Sequence, residues 1–146
     1  MILSDVIIPQ FLNIHLNTIN VLQILGSLFF AILFLQSGLD KVFDWKGNLS
    51  WLKEHFSKSI LKNIVPAMLL AITVLEIVSG ATSLIGVFSI LFNGSVSFAL
   101  LGAVLSAASL LLLFFGQRMA KDYAGAGGLT PYFIIALITI YLAGVC

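Results

Sequence analysis

Long apolar runs alternate with short polar clusters along the chain, and the run lengths set the elements. Thr18 to Leu39 carries no charge before Asp40-Lys41. Ile64 to about Leu91 holds one interior charge, Glu76. No charge at all falls between Ile77 and Gln117, room enough for the end of one span, a turn and a second span. Phe92-Asn93-Gly94-Ser95 supplies the break, because Asn-Gly favours a turn. A last run from Leu129 to Val145 is entered through Pro131. Proline is tolerated in a first helical turn, where its missing N–H would be unpaired anyway. A membrane-spanning helix needs about 20 mostly apolar residues. The pattern therefore predicts an all-α integral membrane protein, a four-helix transmembrane bundle in a single domain, with spans over about 18–39, 64–91, 95–115 and 129–145.

The stretch between the first two spans has its own period. Leu49, Leu52, Phe56 and Ile60 recur at helical spacing, while Lys53, Glu54, Lys58 and Lys62 fall mainly elsewhere on the wheel. Trp45 and Trp51 suit the headgroup level. This predicts a short amphipathic interfacial helix between spans one and two, either a spacer on the leaflet or a docking surface. Residues 1–17 are apolar but hold Asp5, Pro9, Asn13 and His15, and read as a second interfacial segment. No basic n-region precedes the first run, so that run is expected to stay in the mature protein.

Composition narrows the function classes. Of 146 residues, 60% are hydrophobic and 9% charged, against about 25% charged in ordinary soluble domains. The mean hydropathy is +1.14. A soluble fold of this size could not hide so much apolar surface. A net charge of +1 argues against a nucleic-acid partner. All seven basic residues lie in the two loops between spans one and two and between spans three and four. The positive-inside rule then places both loops in the cytoplasm and both termini outside, as in a multi-pass membrane protein. The one cysteine, Cys146, excludes an internal disulfide.

Glu76 is the residue most open to chemistry. An ionisable group inside a span costs about 2.5–3.5 kcal/mol on insertion scales and usually faces a bundle interior or cavity. Counted from the start of its span, Glu76 falls about 18 Å in, near mid-bilayer. Burial favours its neutral form, which donates a hydrogen bond or relays a proton. Depth matching places Ser106 and Ser109 of span three and Thr139 and Tyr141 of span four at a similar level, as a shared ligand or proton site. The alternative is packing. Ser95, Ala99, Gly102, Ser106 and Ser109 form a small-residue stripe, and Gly80 and Ser83 continue the Glu76 face. At the cytoplasmic mouth, Asp40, Lys41 and Asp44 close span one, and Lys41–Asp44 and Arg118–Asp122 are candidate pairs. They read either as anchors or as an acidic–basic gate. The run Gly125-Ala126-Gly127-Gly128 lacks the Lys-Ser/Thr of a phosphate loop and is expected to end the third helix and turn the chain. His15 and His55 fall on opposite faces, and no metal-ligand cluster is seen.

Three segments resemble the DoxX-like family of small bacterial membrane proteins. They are Phe34-Leu-Gln-Ser-Gly38-Leu-Asp-Lys41-Val-Phe-Asp-Trp45, Pro66 to Gly80 with its Glu76-Ile-Val-Ser-Gly80, and Gly116-Gln-Arg-Met-Ala-Lys-Asp-Tyr-Ala-Gly125. The resemblance implies a four-helix membrane bundle loosely associated with quinone-linked, thiosulfate-oxidising or redox-stress complexes. On that basis the chain is expected to be an accessory subunit of a larger respiratory or quinone-linked complex, with lipids and other integral membrane subunits as partners. No cofactor is bound by this chain alone, though the resemblance allows a quinone or lipid ligand. The alternative is a small binding or transport protein for a hydrophobic ligand or a proton, with Glu76 as its polar anchor. Independent oxidoreductase catalysis lacks a ligand set.

Overall fold

The structure, a computed structural model, describes residues 16–145. Six helices follow one another: α1 Thr18–Phe43, α2 Trp45–His55, α3 Val65–Asn93, α4 Ser97–Met119, α5 Tyr123–Gly128 and α6 Thr130–Gly144. No strand occurs among the described residues. Helices α1, α3 and α4, and α5 with α6, are each long and apolar enough to cross a membrane. The chain is an all-α bundle of four such helices. The expected segment over 1–17 and the calls on His15 and Cys146 lie outside the described residues, apart from Leu16 and Asn17.

Local chemistry sets the boundaries. Asn17 starts α1 with a capping box, its side chain accepting from the Asn20 N–H at 2.8 Å. Gly94 ends α3 in the left-handed region at φ 67°, and Ser95 N–H returns to the Ser89 carbonyl. The Asn93-Gly94 break thus lies where the sequence pattern places it. Pro131 occupies the first turn of α6.

Close approaches fix the register. A Cβ on Gly38 would meet Ile77, and one on Gly80 would meet Leu35, so α1 and α3 run antiparallel in tight contact. A Cβ on Gly86 would sit 2.6 Å from the Ala99 nitrogen, and one on Gly102 would sit 2.8 Å from the Ser83 Cα. The small-residue stripe of α4 therefore lies in the α3–α4 interface. Phe30, Phe34, Leu110 and Ala136 form the buried apolar centre, drawn from α1, α4 and α6.

Two sequence expectations are corrected. The interfacial helix stops at His55, so Phe56 caps it and Ile60 lies off it, 82% exposed. Residues 56–64 instead make successive i→i+3 turns, and the Ser59 hydroxyl accepts the Leu61 N–H at 3.2 Å. Serine bonded to nearby backbone in this way competes with helix propagation. The glycine run does not turn the chain either. The turn lies one step earlier, where Lys121 takes φ 59° and Asp122 N–H reaches the Gln117 carbonyl at 2.9 Å. Asp122 then caps α5 through the Gly125 N–H, and the glycines lie inside that short helix.

Candidate functional site: an ion pair beside an apolar cleft

The α1–α3 register sets the depth of Glu76. With Gly38 facing Ile77, Glu76 stands level with Leu39, four residues from the end of α1. That is about 6 Å from the helix end. Counted along α3 alone it would be about 16 Å deep, because the first two turns of α3 overhang the end of α1. Glu76 thus stands near the end of α1 that leads into the basic loop.

Its partner follows from that depth. Lys41 Nζ donates to Glu76 Oε2 at 2.9 Å. The same ammonium donates to the Ser37 hydroxyl at 2.9 Å and to the Ser37 carbonyl at 3.3 Å. Glu76 is 1% exposed and Lys41 15%. A lysine near the end of its helix can lay its stem along apolar surface and reach inward with the charged tip. The pair joins α1 to α3 at the point where Gly38 lets the two helices touch.

The other residues singled out from the sequence do not gather at Glu76. Ser109 bonds Ser79 across the α3–α4 interface at 3.0 Å, one turn further along α3. Ser106 and Thr139 bond back to the Gly102 and Ile135 carbonyls of their own helices. Tyr141 is 66% exposed on the outside of α6. At the mouth, Asp44 caps α2 through the Gly47 N–H and does not pair with Lys41. Asp40 is exposed. Arg118 lies over the Tyr123 ring at 4.5 Å rather than on Asp122, whose carboxylate caps α5 and stands 3.6 Å from His55 Nε2.

Several contributors escaped the sequence reading. His55 Nε2 lies 2.7 Å from Gln117 Oε1, and its ring stacks on Trp51 with centroids 4.5 Å apart. The His55–Gln117 contact ties the end of α2 to the end of α4. At the opposite end of the bundle Gln23, fully buried, donates to the Leu142 carbonyl at 2.8 Å and joins α1 to α6. A polar residue inside an apolar run was the available signal for Gln23. For Lys41 it was the Ser37–Lys41 spacing of four residues at a helix end.

The overhang of α3 leaves a space that α2 partly covers. A cleft of about 460 Å³ lies between α2, the first turns of α3 and the last turns of α4. Leu52, Phe56, Met68, Leu69, Ile72 and Leu113 supply most of its apolar wall. Ile64, Leu112 and Phe115 belong to the same wall yet are half exposed, so the cleft opens sideways between α3 and α4. Lys41, Asn48, His55 and Gln117 are its polar groups. The volume falls within the range of about 300–1,000 Å³ typical of small-molecule sites. Among the described residues no group of three or more His, Cys, Asp or Glu is placed to hold a metal.

No family model, curated protein or solved structure matches the chain. The DoxX-like resemblance thus gains no support beyond the three segments that carry it.

Proposed function

We propose that this membrane protein binds a hydrophobic small molecule in the cleft between α2, α3 and α4. The carrying observation is an apolar cleft with half-exposed wall residues on one side and only a few polar groups in its lining. Such a combination suits a ligand that arrives from the acyl chains and is oriented by its head. Trp51 on the rim marks the headgroup level, where aromatic rings settle. The Lys41–Glu76 pair, rather than Glu76 alone, is the polar anchor of this reading. On the positive-inside rule the basic end faces the cytoplasm, while a bacterial inner membrane rests on the sequence resemblance alone. Membership of a larger respiratory or quinone-linked complex rests on the sequence resemblance alone, and a quinone is one hydrophobic ligand that the same cleft would accept.

Trp51 gives a direct test. The chain has two tryptophans, so Trp45→Phe leaves Trp51 as the sole reporter. In nanodiscs of zwitterionic lipid, a dodecanol brominated mid-chain should quench Trp51 in a saturable manner, reversed by unbrominated dodecanol. Ala71→Phe, which fills the cleft from α3, should remove the saturable part. Quenching that rises linearly with probe and ignores Ala71→Phe would show simple partitioning into lipid and defeat the reading.

A further inference from the structure

The polar lining of the cleft is chemically one-sided. Its charged or chargeable wall groups are Lys41 and His55, and no acidic side chain lines it. Glu76 lies behind the wall, 1% exposed, with Lys41 and Ser37 beside its carboxylate. Lysine has three donors. Two are held at 2.9 Å, by Glu76 and by the Ser37 hydroxyl. The third is on the Ser37 carbonyl at 3.3 Å. That carbonyl sits four residues back in α1, where the helix's own Lys41 N–H already bonds it. Redirecting the third donor toward the cleft therefore leaves no backbone acceptor unsatisfied.

We propose that the cleft takes a single-chain amphiphile with a carboxylate head, bound by the third donor of Lys41, its tail lying in the side opening between α3 and α4. The assignment rests on the hydrophobic-ligand reading and adds the head group to it. A carboxylate accepts a charge-assisted hydrogen bond, stronger than the neutral bond an alcohol would accept. Apolar walls keep the local dielectric low and strengthen that difference. Glu76 competes for the same ammonium, so it limits the affinity for an anionic head. A second carboxylate on one lysine is also opposed by like-charge repulsion. This predicts an unusual sign: removing the charge of Glu76 strengthens binding.

The experiment compares dodecanoate with dodecanol, each brominated mid-chain, in the Trp45→Phe protein, in zwitterionic nanodiscs at mildly alkaline pH, where the acid is ionised. The acid is expected to bind about tenfold more tightly than the alcohol. Lys41→Met should erase that preference. Glu76→Gln keeps the size and hydrogen-bonding capacity of the side chain and should tighten the acid several-fold relative to the alcohol. Should Lys41→Met fail to fold, Glu76→Gln alone decides the head group. Equal affinities for acid and alcohol, or weaker acid binding in Glu76→Gln, would overturn the carboxylate assignment and leave the hydrophobic cleft intact. Saturable binding of neither probe would overturn both.

Discussion

Glu76 and Lys41 illustrate how a charge persists inside an apolar bundle. Each alone would be costly to desolvate, and together they satisfy one another within a short helix–helix contact. The pair's worth is conditional on both members. Glu76→Leu leaves the Lys41 ammonium with only Ser37 and should lower stability by about 3 kcal/mol. Lys41→Met with Glu76→Leu removes both charges and fills the space with apolar atoms. The double variant should recover to within about 1 kcal/mol of wild type, because a buried ion pair is often no better than a well-packed apolar one. Thermal unfolding in detergent micelles gives the comparison. A double variant as unstable as Glu76→Leu would mean that Glu76 is held by contacts other than Lys41. The carboxylate of Glu76 was conspicuous in the sequence, but its partner was not. Asp44 lies three residues from Lys41 in the chain and looks the natural mate. The cap of α2 claims Asp44, which frees Lys41 for a residue 35 positions away.

At the scale of the elements, the helices are set by run length and punctuation, and their contacts by glycine. Gly86 admits α4 so closely that a Cβ would press on the Ala99 backbone. Gly86→Val should therefore cost about 1–3 kcal/mol, with α3 and α4 forced apart. Gly127 makes the contrast: a Cβ there meets nothing within 4 Å, and it lies inside α5. Gly127→Ala should be neutral or stabilising by up to about 1 kcal/mol, since alanine is the better helix former. Thermal melts of the two variants check both signs, and a stable Gly86→Val would refute the close packing. The four spans were legible because a helix in lipid must satisfy every backbone group internally, which demands long apolar runs. The end of α2 was less legible. Period alone carried the helical face on to Ile60, while Ser59 bonds nearby backbone where the chain breaks into turns.

The whole molecule places its basic loops, α2 and the cleft at one end of the bundle. If that end is cytoplasmic, trypsin should cut at the exposed Lys58 and Lys62 in inside-out vesicles and leave them intact in right-side-out ones. Cleavage from the other side would invert the topology and move the cleft to the outer leaflet. From its sequence alone the chain is a membrane protein with four spanning helices, a polar break after Asn93 and a carboxylate that must find a partner. Those features follow from local rules: apolar length, turn chemistry and the cost of a charge in lipid. Tertiary structure alone decided how deep that carboxylate lies. Depth depends on how far α3 overhangs α1, and the overhang depends on which glycine meets which side chain. The same offset opened the cleft, because α1 stops two turns before α3 begins and α2 only partly covers the space between. No run length or spacing encodes an offset between helices. It arises only when close-packed surfaces choose one register among several, and the site at the basic end is a consequence of that choice.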